Sequence, residues 1–71
     1  MSYKAGLIGL GYWGTVLLRN FHLHDKIEIK IICDRNEPKL KIAHNISPKS
    51  QLSKEANSIF ADPEIDFVVI A

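Results

Sequence analysis

Three glycines near the start of the chain have the spacing of an anion-binding turn. They form the pattern G-x-G-x-x-G in the run Gly9-Leu10-Gly11-Tyr12-Trp13-Gly14. When this pattern joins a strand to a helix, the first glycine allows a tight turn, the second leaves space for a pyrophosphate, and the third lets the helix approach the sheet. The free N–H groups at the positive end of the helix complete the anion site. The glycines therefore predict a site for a phosphate-bearing ligand.

An acidic residue lies where a dinucleotide site needs its second group. Asp34 follows an apolar segment about 20 residues after Gly14, a position from which a carboxylate accepts hydrogen bonds from ribose hydroxyls. We expect dinucleotide binding, and the alternative is an α/β protein in which Asp34 only caps the next loop. Arg35 could pair with a 2′-phosphate, stack on adenine or remain solvated. Because a carboxylate repels that phosphate, Asp34 favours NAD, with NADP possible.

The segments that must position these residues alternate between strands and helices. Asn36 and Ser53 are predicted helix N-caps, and Pro38 falls in the first turn of its helix. The polar residues 50–53 could form a short additional strand. The other strands are expected at 4–8, 26–33 and 67–71, and the helices at 12–24, 37–45 and 54–61.

This alternation predicts an α/β fold with a parallel, Rossmann-like sheet and helices on both faces. The run at 67–71 is wholly apolar and rich in β-branched residues, which is typical of a central parallel strand. In the third helix, Ala56, Ile59 and Phe60 are expected to face the core, whereas Gly6 is expected to be an ordinary strand residue. Residues 1–71 are interpreted as the N-terminal part of a larger dinucleotide-binding domain.

Other residues have side chains that could bind ligands or react, but the sequence supports weaker predictions for them. Tyr12 and Trp13 could shield the pyrophosphate turn, line the route to a nicotinamide, or pack against another domain. The sequence predicts neither a metal site nor a catalytic residue, because no set of ligands or nucleophile with its base is recognisable. The remaining candidates are expected to be surface histidines, a buried apolar cysteine and a solvated acidic loop, namely His22, His24, His44, Cys33, Asp62, Glu64 and Asp66.

Composition narrows the range of partners. The 71 residues include 9 Lys or Arg and 8 Asp or Glu, for a net charge of +1. Because the basic and acidic residues are nearly equal in number, nucleic acid and membrane surfaces are not expected partners. The single cysteine suits a reducing compartment, and no apolar run approaches the roughly 20 residues of a membrane span. We expect a cytoplasmic protein.

The sequence resembles the N-terminal segment of the Gfo/Idh/MocA family of NAD(P)-dependent oxidoreductases. The resemblance covers nearly the whole chain, although residues 45–53 match the family's third strand poorly. The tyrosine–tryptophan pair in the glycine run and the DPEID-FVVIA ending are its most discriminating parts. The segments that carry it are 6–14, 18–21, 32–35 and 61–71.

The resemblance implies a Rossmann cofactor domain followed by an α/β substrate domain with an open sheet. Members oxidise or reduce sugars, inositols and related polyols, usually as homo-oligomers. The family's catalytic lysine, in a Glu-Lys-Pro motif, would lie beyond Ala71, so residues 1–71 alone are expected to be inactive. The implied cofactor-binding residues are Gly9, Leu10, Gly11, Tyr12, Trp13 and Gly14 at the pyrophosphate, Asp34 and Arg35 at the adenosine, and Ala71 where the cofactor crosses the sheet.

Two alternatives remain at this point. The glycine run and the DPEID strand are also similar to the cofactor half of homoserine dehydrogenase, although Tyr12 and Trp13 fit that enzyme less well. A Rossmann unit can also serve as a non-catalytic nucleotide sensor, because the fold alone does not determine function.

Overall fold

A computed structural model describes residues 2–71. Its strands form one 4-stranded sheet in the order β3-β2-β1-β4, and every pairing is parallel. The predicted parallel α/β fold is confirmed, including the short third strand. The elements are β1 (Tyr3–Ile8), α1 (Tyr12–His22), β2 (Ile27–Cys33), α2 (Glu37–Ile46), β3 (Gln51–Ser53), α3 (Asn57–Phe60) and β4 (Phe67–Ile70). Within residues 2–71, no helix has both the length and the apolar character needed to cross a membrane.

A β-bulge in β2 distributes its apolar side chains between two cores. Ala5 pairs with Ile29 but the next residue of β1 pairs with Ile31, so Lys30 is an extra residue in β2. Because side chains alternate along a strand, this insertion changes which positions share a face. Ile29 packs with Ile32 beneath α1 and α2, whereas Ile31 packs on the opposite face with Ile59 of α3.

The third helix is shorter than predicted. It begins at Asn57, because the Ser53 hydroxyl accepts the Glu55 N–H at 3.1 Å and forms a local turn rather than a helix cap. Ile59 is buried as expected, but Phe60 is 62% exposed, so its assignment to the core was wrong. The first helix also ends earlier than predicted, at His22.

Within residues 2–71, β4 pairs with β1 alone, and Ile70 is exposed. The expectation that β4 is a central strand concerns the larger domain and stays a prediction. The expectation for Gly6 was wrong: it is not an ordinary strand residue, since a Cβ there would collide with the side chain of Ile59. Its lack of a side chain lets α3 pack closely on β1.

The acidic loop before β4 is paired rather than simply solvated, which corrects the prediction. The Lys30 ammonium lies 2.5 Å from the Asp62 carboxylate and 2.8 Å from Glu64, and Glu64 also contacts Lys4 at 3.3 Å. The Asp66 carboxylate accepts the backbone N–H of Lys4 at 2.7 Å. The loop is therefore fastened to β1 and to the bulge of β2.

These ion pairs make the fold sensitive to pH. Hydrogen bonding to Lys30 lowers the pKa of Asp62 and of Glu64, and the same contacts raise the pKa of Lys30. Because the carboxyl pKa values are lower in the folded state, the pairs stabilise the fold fully above about pH 5 and lose this effect as pH falls through those folded-state values. At the alkaline end, the contribution is lost as pH rises through the raised pKa of Lys30.

Lys30→Met is therefore expected to lower Tm at pH 7 by roughly 2–5 °C, and the difference from wild type should shrink towards pH 3. Thermal unfolding followed by circular dichroism from pH 3 to pH 8 measures this. Lys49→Met is the control, because Lys49 is exposed and has no ion pair among residues 2–71. A Tm difference that stays constant over this pH range would contradict the role of the carboxylates.

Candidate functional site

The glycine run forms the turn between β1 and α1 that its spacing predicts. Gly9 has φ of +99°, a conformation that side chains disfavour, and a Cβ there would lie 2.7 Å from the carbonyl oxygen of Ala71. The Gly9 N–H donates to the carbonyl of Cys33 at 2.9 Å, and the Ala71 N–H donates to Ile8 at 2.9 Å. The turn is thus held at the carboxyl ends of β2 and β4.

Gly14 allows α1 to begin against this turn. It is buried, and a Cβ there would collide with the carbonyl oxygen of Gly9 and lie 3.5 Å from the Cβ of Ala71. A side chain at position 14 would therefore push α1 away from the sheet. The predicted structural roles of Gly9 and Gly14 are both confirmed.

Gly11 marks the open side of the turn. It is the N-cap of α1, it is exposed, and a Cβ built on it would have no atom within 4 Å. Within residues 2–71, no side chain caps the helix, and Tyr12 and Trp13 are exposed, so their N–H groups remain available to an external acceptor. Open space beside free N–H groups at a helix N-terminus suits a pyrophosphate, and the residues present therefore fit a dinucleotide.

The Asp34 carboxylate connects this turn to the end of β2. One oxygen accepts the backbone N–H of Leu10 at 2.8 Å, and the other accepts the N–H of Asn36 at 2.7 Å. Asp34 thus caps the following loop, as the alternative interpretation required, and it also fixes the glycine turn. A carboxylate has about four lone-pair sites, so acceptor capacity remains for ribose hydroxyls.

Leu10 contributes to the turn through its backbone. Its side chain is buried in the core beneath α1, and its N–H is already bonded to Asp34. Both the side chain and the N–H of Leu10 therefore face protein rather than the open side of the turn.

A cleft of about 840 Å³ opens beside the turn, and because adenosine is its expected occupant we call it the adenosine cleft. It lies where β1, β2 and β3 end, which is where parallel α/β sheets bind their ligands. The structure brings Gly9, Asp34 and Arg35 together there, as predicted. The complete lining is Ile8, Gly9, Cys33, Asp34, Arg35, Lys54, Glu55 and Ala56.

Sequence reasoning missed Lys54, Glu55 and Ala56 as cleft residues because it placed them inside the third helix. They instead form the loop between β3 and α3. The rule that the carboxyl ends of neighbouring parallel strands meet at one edge would have identified this loop once residues 51–53 were accepted as a strand.

The aromatic pair stands outside the adenosine cleft. Tyr12 and Trp13 are 78% and 70% exposed, and their rings meet edge to face with centroids 5.5 Å apart. Both rings follow Gly11 directly, so they border the open side of the turn and are accessible to a ligand or to another domain.

The three histidines are exposed, as predicted: His22, His24 and His44. Within residues 2–71, no group of three or more His, Cys, Asp and Glu is placed to hold a metal ion. Cys33 is buried, and burial raises the pKa of its thiol. A raised pKa keeps the thiol protonated near neutral pH, which disfavours nucleophilic chemistry.

The family model described as an oxidoreductase family with an NAD-binding Rossmann fold, Gfo/Idh/MocA, matches residues 3–71. The chain belongs to this family. NAD is accordingly the cofactor of this domain, and the matching family is the first of the two enzyme resemblances rather than homoserine dehydrogenase. A comparison with curated protein sequences found no match.

Solved structures with the same fold include three oxidoreductases. An enzyme from Agrobacterium radiobacter, in complex with NAD+, L-tartaric acid and magnesium, is 30% identical, with a TM-score of 0.86 over 100% of this chain and 21% of that chain. Lactobacillus casei scyllo-inositol dehydrogenase is 18% identical, with a TM-score of 0.88 over 100% of this chain and 21% of that chain.

The myo-inositol dehydrogenase of Lactobacillus casei is 23% identical, with a TM-score of 0.86 over 100% of this chain and 22% of that chain. At identities of 18% and 23% the two inositol dehydrogenases establish likeness of fold. The chain spans about a fifth of the length of these structures.

Gly14 and Gly11 are expected to respond differently to the same substitution. Gly14→Ala should lower the free energy of unfolding by roughly 1–3 kcal/mol, because its methyl group would meet the Gly9 carbonyl. Gly11→Ala should lower the free energy of unfolding by less than about 1 kcal/mol. Its methyl group enters open space, so the only loss is that of a glycine at the N-cap. Urea unfolding of both variants measures this, and equal losses would contradict the geometry of the turn.

Proposed function

We propose that this chain holds the cofactor in an oxidoreductase that transfers hydride between the nicotinamide of NAD and a sugar, inositol or related polyol. Bound NAD supplies the hydride chemistry. The chain's own residues bind and orient: the first turn of α1 receives the pyrophosphate and Asp34 receives the adenosine ribose. The observation that carries this proposal is the open space at Gly11 beside free N–H groups, with the Asp34 carboxylate fixed against the same turn.

The remaining predicted site residues take their proposed roles from position. Arg35 lies in the adenosine cleft next to Asp34. Tyr12 and Trp13 border the pyrophosphate position, and Ala71 lies beside the glycine turn at the end of β4. Each of these residues is proposed to contact the cofactor and none to move a proton.

The polyol substrate class is supported by family membership and by the neighbours. Two structures with this fold are a scyllo-inositol and a myo-inositol dehydrogenase. We assign no catalytic residue within residues 2–71, so proton transfer at the substrate belongs to a substrate domain. We further propose that the complete enzyme is a cytoplasmic homo-oligomer, as the family resemblance implies.

Gly11→Val tests the cofactor site. The branched side chain would occupy the pyrophosphate position while leaving the fold intact, because a Cβ at Gly11 meets no other atom within 4 Å. NADH affinity is expected to fall at least about tenfold, because the side chain would block the contacts between the turn and the pyrophosphate. Calorimetric titration with NADH measures the affinity, and urea unfolding verifies the fold.

The control for this titration is Asn20→Val, because Asn20 is also exposed and lies on α1 away from the turn. It should leave NADH affinity unchanged. Unchanged affinity in Gly11→Val, with the fold intact, would refute the pyrophosphate assignment.

Turnover separates an enzyme from a nucleotide sensor. Residues 1–71 are expected to bind NADH but to form none from NAD and any polyol. The same chain joined to its substrate domain is expected to reduce NAD, followed at 340 nm, with at least one member of an inositol and sugar panel. Binding of NADH by the joined protein without turnover across the panel would favour the sensor.

A further inference from the structure

The charged residues that line the adenosine cleft are balanced in number. Asp34 and Glu55 supply two carboxylates and Arg35 and Lys54 supply two cations. Among residues 2–71, Arg35 has no ion-pair partner. The Lys54 ammonium, in contrast, lies 2.6 Å from the carboxylate of Glu37 in the first turn of α2.

The contact with Glu37 changes what Lys54 offers a ligand. Glu37 does not line the adenosine cleft, but it meets Lys54 in the adjoining groove between α2 and β3. Its negative charge offsets the field of the ammonium and occupies one of its three donors. Both side chains are more than half exposed, at 54% for Lys54 and 61% for Glu37, so the pair can rearrange without opening the core.

NAD and NADP differ at the group that this cleft would receive. NADP carries a 2′-phosphate with roughly two negative charges at neutral pH, whereas NAD carries a hydroxyl there. Asp34 repels the phosphate, and its carboxylate is fixed by the N–H groups of Leu10 and Asn36, so it cannot easily turn away. Acceptance of the phosphate therefore depends on the cations that remain free to face it.

We propose that the Glu37–Lys54 ion pair is a specificity determinant that keeps the cleft selective for NAD by withholding Lys54 from a 2′-phosphate. This inference rests on the proposed cofactor site. Removing the charge of Glu37 leaves Arg35 and Lys54 both free, and two cations then face the phosphate in place of one. NAD gains little, because its ribose hydroxyl carries no charge.

Glu37→Gln tests the proposal with little change of shape. Calorimetric titrations with NADPH and NADH are compared for the wild type and the variant. NADPH affinity is expected to rise roughly threefold to fivefold, the range that an exposed ion pair supports, while NADH affinity changes less than about twofold. The gain should diminish at high salt, because the charges involved are exposed.

The double variant Glu37→Gln/Lys54→Met identifies the cation responsible. The gain in NADPH affinity should disappear in this double variant. The matched control Glu28→Gln, at the far end of β2, should leave NADPH affinity unchanged. An unchanged NADPH-to-NADH preference in Glu37→Gln would overturn the proposal, as would an equal gain in the double variant. Failure of the wild type to bind NADH would instead overturn the proposed cofactor site itself.

Discussion

The close approach of α1 to the glycine turn is the constraint on which the rest of this site depends. The helix can begin at the sheet edge only because position 14 has no side chain to meet the Gly9 carbonyl. That approach directs the positive end of α1 at the space beside Gly11, and Ala71, directly after β4, lies against the same turn. A packing requirement of the core thus presents the positive end of a helix at the surface, where we propose that the pyrophosphate binds.

Asp34 extends this constraint across the sheet. Its carboxylate bonds to the Leu10 N–H of the turn and to the Asn36 N–H of the next loop, so the end of β2 and the start of α1 are held as one unit. The bulge at Lys30 in the same strand lets β2 fill both cores and pairs its extra residue with Asp62. One strand therefore couples the charged end of the sheet, where the acidic loop is fastened, to the end where the cofactor is proposed to bind.

Much of this arrangement is readable from the sequence, because it depends on local rules. Glycine spacing, an acid after the second strand and alternating segments predicted the parallel fold, the turn and the location of Asp34. The bulge at Lys30 and the pairing of the acidic loop were not predictable, since both depend on which residues meet across the sheet. The loop after β3 was not predicted, because serine is a common helix N-cap and Ser53 was assigned that role. In the structure its hydroxyl instead accepts the N–H of Glu55, two residues later, and forms a local turn. Of the cleft's two cations, Arg35 was predicted from the sequence, whereas the position of Lys54 emerged only from the structure.

The most direct test of the account is a titration of the isotopically labelled chain with NADH, followed through its backbone amide resonances. The largest shifts are expected at Gly11, Tyr12 and Trp13, where free N–H groups meet the pyrophosphate, and at Asp34 and Arg35 beside the ribose. Saturable binding whose largest shifts fall on another surface, such as the acidic loop before β4, would contradict the account. Absence of any shift at saturating NADH would contradict it equally.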